Sequence, residues 1–388
     1  MHLRRLSLTN FRNYAREELE LAPGAVLFLG ENAQGKTNLL EAVALLATGR
    51  SERAASDADY IAWSARDEPQ PFARVAGVAE RGGHEVSVEL AVIGREGAHG
   101  NLVASKRLKL NGVPRRAADV VGAITAVLFT TDDMELVKGS PSGRRRYLDV
   151  MLSQVDRAYL RALPRYTKLV TQRNALLKRI QDGAAGHDEL AYWDEELARD
   201  GATLLVARNA AVDALARSAA EAHAALSGER ERFELAYAPR FVDGWTPARV
   251  AAAPAEDVAR ALLDKLQATR TRDVAAGVTL SGPHRDDLSM SIGGEPAAAF
   301  ASRGQQRTAA LALRLAEARL LLDRTGERPL LLLDDVLSEL DESRRGSVLA
   351  AIDADQVLIT SPDPDRFPAS YTASVQLWEI KGGSARRV

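Results

Sequence analysis

The stretch AVLFLGENAQGKTNLLEAV, residues 25 to 43, carries the pattern G-x-x-x-x-G-K-[ST] between an apolar run and an amphipathic run. The apolar run predicts a strand, and the residues from about Thr37 predict a helix. A glycine-bearing loop between a strand and a helix is typical of phosphate binding. Gly30 and Gly35 let the backbone N–H groups face phosphate oxygens, and the helix dipole adds positive potential. The stretch therefore predicts an α/β fold built around a nucleotide site.

Within this loop, Lys36 is expected to reach the β- and γ-phosphates, and Thr37 is expected to offer its hydroxyl to Mg²⁺. We also expect Glu31, Asn32 and Asn38 to line the nucleotide. The alternative is a chance glycine turn. The predicted strand before the loop and the predicted helix after it favour the nucleotide interpretation.

A second apolar run, LLLLDD at residues 330 to 335, predicts a buried strand of the parallel-sheet type that ends at two acids. Asp334 would hold Mg²⁺ directly or through water, and Asp335 would orient or deprotonate an attacking water. The alternative is a core strand that merely reaches solvent at two aspartates. The following segment, Ser338 to Asp341, also fits an ordinary helix capping box.

The segment ASRGQQRTAALALRLAEARLLLD, residues 301 to 323, opens a long predicted helix with Ser302, Arg303, Gly304 and Gln305. Free N–H groups, a hydroxyl and the helix dipole make this start a second anion-binding terminus. Since the loop at 30 to 37 already surrounds one face of a triphosphate, we expect this terminus to bind the γ-phosphate supplied by a second copy of the protein. A plain N-cap at Ser302 is the alternative; it accounts for the serine but not for the glycine and glutamine.

Composition bounds the class of protein. The 388 residues are 46% apolar and 27% charged, carry a net charge of −2 and contain no cysteine. A chain of this length is expected to fold as more than one lobe, without disulfide or thiol chemistry. Apolar runs stay short of the 18 residues that a membrane span needs, which predicts a cytoplasmic protein without a membrane partner.

The remaining pattern predicts the order of elements. Two early extended stretches, starting with LRRLSL at 3 to 8, precede the phosphate loop; a hairpin follows at 72–80 and 84–93, and residues 106–110 extend its sheet. Helices are expected over 142–226, broken by Pro164 and by residues 181–188, and strands at 278–280, 288–292, 329–335 and 355–361. The polar tail KGGSARRV is expected to be loose. We predict residues 1–135 as the first part of an ATPase domain, 136–270 as an inserted helical lobe, and 271–388 as the second part of the ATPase domain.

A basic segment stands out in this near-neutral chain. Residues 138 to 179 hold eleven Lys or Arg and two acids. Four of them recur at spacings of four, four and three, which places them on one helix face: Arg157, Arg161, Arg165 and Lys168. Such a stripe could follow a nucleic-acid backbone; the alternative is a solvated helix face balanced by the acids at 182 to 200.

The motifs together resemble a known family. The order of phosphate loop, signature-like helix start, apolar strand with two acids and SELD is similar to the ABC-type ATPases of the SMC and Rad50 class. Within that class, blocks spread over nearly the whole chain resemble the RecF family of bacterial recombination mediators: NFRNY (10–14), GENAQGKTNLLEA (30–42), TGRSERAASDADYI (48–61), LVKGSPSGRRRYLD (136–149), GPHRDDL (282–288), SRGQQRTAALALRLAE (302–317) and LLLLDDVLSELD (330–341).

This resemblance implies a fold and a set of roles. The fold would be α/β, an ABC-type P-loop ATPase head with mixed sheets and an inserted, mostly helical lobe. The ligands would be ATP and Mg²⁺, with Ser302, Arg303, Gly304 and Gln305 acting on the ATP of a homodimer partner. Asp341 would couple the two sites, and Asp335 and Lys36 would be catalytic.

The same resemblance implies partners. It suggests an ATP-dependent dimer on double-stranded or gapped DNA that works with RecO and RecR to load RecA onto single strands. The candidate DNA-binding residues are Arg50, Arg53, Lys138, Arg144, Arg145, Arg157, Arg161, Arg165 and Lys168.

Some residues depart from the general ABC pattern. The signature LSGGQ appears here as ASRGQ, with Arg303 in place of a glycine. Asp335 replaces the glutamate that often follows the first acid, and Thr360 stands where a histidine often ends the later strand. We expect slow hydrolysis suited to a switch. Two alternatives, the ATPase subunit of an ABC transporter and an SMC-like chromosome organiser, are disfavoured by the missing histidine and by the short chain respectively.

Overall fold

The computed structural model describes residues 1–51, 53–97, 101–228, 231–339, 342–363, 367 and 369–388. The strands are β1 (His2–Phe11), β2 (Tyr14–Glu20), β3 (Gly24–Leu29), β4 (Phe72–Arg81), β5 (His84–Glu96), β6 (Leu102–Leu110), β7 (Val113–Arg115), β8 (Ala126–Thr130), β9 (Phe233–Ala238), β10 (Asp287–Ile292), β11 (Glu295–Pro296), β12 (Leu330–Asp334), β13 (Gln356–Ser361), β14 (Gln376–Lys381) and β15 (Ser384–Arg387).

The helices, short 3₁₀ turns aside, are α1 (Lys36–Thr48), α2 (Ala117–Val120), α3 (Met134–Lys138), α4 (Pro141–Val155), α5 (Arg157–Gln181), α6 (Leu190–Ser227), α7 (Pro247–Ala252), α8 (Ala255–Ala268), α9 (Arg270–Ala276), α10 (Ala297–Phe300), α11 (Arg303–Thr325), α12 (Glu342–Ala351) and α13 (Ala369–Thr372). The chain forms two compact units, Met1–Asp133 with Glu317–Val388, and Met134–Ala316. The domain boundaries predicted from the sequence, between residues 135 and 136 and between residues 270 and 271, remain predictions.

The first unit contains two six-stranded sheets. One is antiparallel, with the order β2-β1-β4-β5-β6-β7, and includes the predicted hairpin, which turns through Gly82 and Gly83. The other has the order β15-β14-β3-β13-β12-β8 and is parallel except for β15. Leu330 to Leu333 of β12 are almost completely buried, as expected of a strand covered on both faces.

One apolar core joins both sheets to α1. It includes Leu6 of β1, Leu39 and Leu46 of α1, Leu332 of β12 and Leu358 of β13. Because α1 starts at the end of the glycine-bearing loop, this core fixes the helix that carries Lys36 and Thr37.

The second unit is mostly helical. Helix α6 packs against α5, α8 and β9, and a small sheet has the order β11-β10-β9. Its interior holds a fully buried ion network in which Arg173 donates to Asp194 (2.8 Å) and Asp273 (2.7 Å). Buried charges persist only when paired in this way. The predicted α/β architecture, with mixed sheets and a helical lobe, is confirmed.

The predicted break at Pro164 is wrong. Helix α5 runs unbroken from Arg157 to Gln181. A proline in a helix interior removes a hydrogen bond and costs about 3 kcal/mol. The buried side chains on both sides of it, Tyr159, Ala162 and Tyr166, keep the helix packed through this point.

The predicted strand at 278–280 is also wrong. The backbone groups of Thr279 hydrogen-bond with side chains instead of with a neighbouring strand. Its N–H donates to Asn174 Oδ1 (2.8 Å), and its carbonyl bonds with His284 Nε2 (3.0 Å). The other ring nitrogen of His284 bonds with the Tyr166 hydroxyl (2.7 Å), and burial lowers the pKa of His284 to about 4. The histidine is a structural turn residue.

The tail is not loose. Residues Lys381 to Ser384 form the turn of a hairpin between β14 and β15, with Gly382 and Gly383 at positive φ. Trp378 and Ile380 are buried, and β14 pairs in parallel with β3. A Gly-Gly pair favours a β-hairpin turn, but the polar residues around it led to the prediction of a loose tail.

Candidate nucleotide site

The phosphate loop connects β3 to α1, and both of its glycines are structurally required. Gly30 and Gly35 have φ of 157° and 118°. A Cβ on Gly30 would collide with the carbonyl oxygen of Ile380, and one on Gly35 would lie 2.5 Å from Asn13 Nδ2. Glu31 and Asn32 are exposed at the tip of the loop.

The Lys36 ammonium lies inside the curve of this loop. Its Nζ donates to the carbonyl oxygens of Gly30 (2.5 Å) and Glu31 (2.8 Å). Burial lowers the pKa of Lys36, and the carboxylates of Asp335 and Asp334 oppose that shift. The lysine is thus placed where a phosphate, a stronger acceptor than two carbonyls, could take over its donors.

The two residues predicted to bind Mg²⁺ are in contact. Thr37 Oγ1 donates to Asp334 Oδ1 (2.9 Å), and Thr360 Oγ1 donates to the same oxygen (2.8 Å). The pairing of β12 with β13 sets Asp334 directly beside Thr360. Burial raises the pKa of Asp334, although these two hydrogen bonds act in the opposite direction.

Asp335 has an unusual backbone and a carboxylate oxygen without a partner. Its φ is 56°, in the left-handed region that non-glycine residues rarely adopt. Its N–H donates to Thr360 Oγ1 (3.0 Å), while its buried Oδ1 makes no hydrogen bond within the described residues. Such strain and unsatisfied polarity concentrate at functional sites.

These observations fit ATP with Mg²⁺. Mg²⁺ keeps several waters and takes one or two protein oxygens besides phosphate oxygens, which Thr37 and Asp334 can provide. Over the described part of the chain there is no group of three or more His, Cys, Asp or Glu that could hold a metal unaided. The buried Oδ1 of Asp335 is available to accept a hydrogen bond from a water beside the phosphates.

Sequence reasoning assigned no role to Asn13, which supports the loop. Asn13 Nδ2 donates to the Gln34 carbonyl (2.9 Å), and Asn38 Nδ2 donates to Asn13 Oδ1 (2.8 Å). The Tyr14 hydroxyl donates to the Gly35 carbonyl (3.1 Å). Asn13 and Tyr14 belong to the motif NFRNY, but the residues that they bond to lie 21 or more positions away along the chain, so no local pattern reveals these contacts.

Thr130 was also missed. It ends β8, and the register of β8 with β12 places it beside Asp334. Its N–H donates to Asp133 Oδ2 (2.9 Å), and its Oγ1 lies 3.3 Å from Asp133 Oδ1. Strand β8 therefore ends beside Asp334 and brings Thr130, bonded to Asp133, to the same edge of the sheet.

Arg53 contacts α1, the helix that follows the phosphate loop. Its Nη1 donates to Asn38 Oδ1 (3.0 Å) and to Glu41 Oε2 (3.1 Å). Glu41 is buried and also accepts from Arg12 Nε (3.0 Å). Arg50 is half-buried, and its Nη2 has no hydrogen-bond partner among the described residues.

At the start of α11, Ser302 and Gln305 form a reciprocal capping box. The Ser302 N–H donates to Gln305 Oε1 (2.7 Å), and the Gln305 N–H donates to Ser302 Oγ (3.3 Å). Because glutamine is a standard partner in this box, a cap at Ser302 accounts for the glutamine as well as the serine, and the expectation that it would not is wrong. Arg303 is exposed and Gly304 half-buried. Asp341 lies outside the described residues, so its coupling role stays a prediction.

The stripe on α5 is exposed. Arg157, Arg161, Arg165 and Lys168 all face solvent, as their spacing predicted. Arg165 Nη2 also donates to Asp200 Oδ1 (2.6 Å), so part of its charge is compensated.

Three other DNA-binding candidates are engaged within their own unit. Buried Arg144 donates from Nε and Nη2 to the Asp287 carboxylate (2.7 and 3.0 Å), and Arg145 Nη1 donates to the carbonyl of Asp286 (2.7 Å). Exposed Lys138 pairs with a glutamate three residues earlier (3.0 Å). The buried, fully engaged Arg144 is thus a weak DNA-binding candidate, whereas half-buried Arg145 has one donor engaged and stays a candidate.

The fold and the phosphate site define an ABC-type P-loop ATPase head. A model of the RecF/RecN/SMC N-terminal domain family matches residues 2–375. The DNA replication and repair protein RecF of Chloroflexus aurantiacus is 43% identical to the chain and covers 99% of both sequences. The chain belongs to the RecF family.

Solved structures agree. The recombination mediator protein RecF with ATP, from the RecFOR pathway, matches with a TM-score of 0.84 and 32% identity, over 100% of this chain and 97% of that one. The SMC head domain of Pyrococcus furiosus, solved with the C-terminal domain of ScpA, shares the fold at 17% identity, with a TM-score of 0.54 over 100% of this chain and 96% of that one. Within the described residues, no helix is both long and apolar enough to cross a membrane.

Proposed function

We propose that the chain is an ATP-dependent DNA clamp: ATP closes two copies on DNA, and hydrolysis opens them. The observation that carries this proposal is the cluster of Thr37, Asp334, Thr360 and Asp335 behind the phosphate loop. It supplies oxygens for Mg²⁺ and an unpaired carboxylate oxygen for the attacking water.

Hydrolysis in this proposal is slow and stimulated by DNA. Asp335 is one methylene shorter than glutamate, so its carboxylate reaches less far toward an attacking water. Thr360 hydrogen-bonds with both aspartates, and its hydroxyl, unlike a histidine ring, does not titrate near neutral pH. A site built in this way suits a switch that holds ATP for long periods.

The signature residues act in trans in this proposal. Ser302 and Arg303 are exposed at the start of a 23-residue helix, so their polar groups are accessible to a second molecule. Residues 136–270 would contribute the DNA-binding lobe, and residues 1–135 and 271–388 would contribute the two parts of the ATPase.

The exposed stripe on α5 would bind DNA through its phosphates. Arg157, Arg161 and Lys168 make no ion pair with any described residue, so their charge is available to an anionic backbone. Such binding is independent of sequence and weakens steeply with salt.

The RecF relatives suggest the wider process. Curated relatives are DNA replication and repair proteins, and a solved relative is a recombination mediator of the RecFOR pathway. By that likeness, this chain would recognise gapped DNA and act with RecO and RecR to load RecA onto single strands.

The test is sedimentation of the Asp335→Asn protein with ADP, with ATP, and with ATP plus a short duplex that contains a single-stranded gap. We expect a dimer only with ATP and a tighter dimer with the gapped duplex. A monomer under all three conditions would exclude the clamp and leave a P-loop ATPase that works as a single chain.

A further inference from the structure

Both ends of the Gln305 amide are occupied within the second unit. Its Oε1 accepts from the Ser302 N–H (2.7 Å), and its Nε2 donates to Glu231 Oε1 (2.8 Å). Ser302 Oγ in turn accepts from the Gln305 N–H (3.3 Å). The Ser302 and Gln305 N–H groups that could bind a phosphate are thus used inside the capping box.

Glu231 therefore has two effects on this helix start. Its carboxylate fixes which way the Gln305 amide faces, because only the NH₂ end can donate to it. It also sets a negative charge next to residues that would have to accept an anionic phosphate, which opposes anion binding. Both effects hold the helix start in its capped form.

His223 offers the Glu231 carboxylate a second partner. Its ring is fully buried and stacks on Phe233, with ring centres 5.2 Å apart. Neither ring nitrogen makes a hydrogen bond within the described residues, and Nε2 lies 3.9 Å from Glu231 Oε2. A shift of about an ångström would bring this pair within hydrogen-bond distance.

We propose that Glu231 is a positioning residue that latches the signature helix: it holds Gln305 in the capping box, and its transfer to His223 releases the Gln305 amide and the Ser302 N–H for the partner's nucleotide. This inference rests on the proposed trans role of the signature. Gln305 and His223 face different oxygens of this carboxylate, Oε1 and Oε2, and in the proposed switch the movement of Oε2 toward His223 breaks the bond between Oε1 and Gln305.

The test measures the ATP concentration for half-maximal dimerisation in the Asp335→Asn background. We expect Glu231→Ala to lower that concentration at least ~5-fold, the lower end of typical coupling between sites. His223→Phe keeps the aromatic stack but removes the second partner, so it should raise the concentration. The double variant should behave like Glu231→Ala, because the latch is then absent.

Glu231→Gln is the matched control, since its side-chain oxygen can still accept from Gln305. Because this variant also lacks the charge, its ATP requirement should lie between those of the parent and Glu231→Ala; a requirement equal to that of Glu231→Ala would overturn the latch and assign the effect to charge alone. An unchanged or raised ATP requirement in Glu231→Ala, or no effect of His223→Phe, would also overturn it. A parent that stays monomeric with ATP would instead refute the proposed clamp. Thermal denaturation of each variant checks that it is folded.

Discussion

Asp334→Asn should stabilise the nucleotide-free protein while it abolishes Mg²⁺-dependent hydrolysis. Asp334 is half-buried at the end of β12, and an asparagine oxygen can still accept the hydrogen bonds from Thr37 and Thr360. The substitution therefore removes a half-buried charge without removing its partners. A metal ligand would be lost at the same time, because a neutral amide is a poor substitute for carboxylate at Mg²⁺.

The raised pKa of Asp334 determines the direction in which the free energy of unfolding changes with pH. In the window from the unfolded pKa of about 3.9 up to the folded pKa, the folded state binds more protons than the unfolded state, so stability falls as pH rises. Above that window the folded protein carries the full free-energy cost of the ionised Asp334 carboxylate, and the asparagine removes that cost. Burial of a charge that its hydrogen bonds only partly compensate costs about 1–3 kcal/mol, which corresponds to a rise in Tm of about 1–4 °C for a chain of 388 residues.

Thermal and urea denaturation at pH 7 and at pH 4 would measure this effect. The stability gain of Asp334→Asn should be larger at pH 7 than at pH 4, because the raised pKa of Asp334 leaves more of the folded protein than of the unfolded protein protonated at low pH. Asp67→Asn is the matched control, because Asp67 is exposed and should change stability by less than about 0.5 kcal/mol. A variant that is less stable than wild type at pH 7, or a gain independent of pH, would refute the argument that burial dominates at Asp334.

The other predictions concern the loop, the signature and the stripe. Lys36→Met should lose nucleotide affinity or productive phosphate placement. Ser302→Arg should bind ATP normally but neither dimerise nor hydrolyse it. Titration with a fluorescent ATP analogue measures ATP binding in both variants, and an equal loss in both would mean that the signature acts in cis. Gly35→Ala should cost about 1–3 kcal/mol, because its Cβ meets Asn13 at 2.5 Å at positive φ; an unchanged urea midpoint would contradict this. Arg161→Glu should weaken DNA binding equally for all sequences and reduce the slope of log affinity against log salt by about 1 or more; unchanged affinity would exclude the α5 stripe.

The sequence predicted the parts of the site whose signal is local. The phosphate loop, the β12 strand with its two acids and the hairpin at Gly82-Gly83 each depend on a contiguous pattern, and each is present. The exposure of the α5 stripe was predictable for the same reason, because helical spacing alone decides which side chains share a face.

What the sequence did not reveal depends on contacts between distant segments. Pro164 stays helical because buried neighbours outweigh its local cost, and Thr279 needs no strand because Asn174 supplies its partners. Gln305 could be matched to Ser302 by its spacing of three, but its bond to Glu231 spans 74 residues and leaves no local pattern.

The pairing of β14 with β3 bears on when the site can form during synthesis. The strand that leads into the phosphate loop is flanked by residues 376–379, the Ile380 carbonyl packs against Gly30, and the backbone N–H of Gly383 donates to the Gln34 carbonyl (3.0 Å). A ribosome-bound chain that has not yet released residue 383 lacks this side of the nucleotide cradle. Competence to bind ATP should therefore arise only after residues 376–383 have emerged from the ribosome, long after the loop itself.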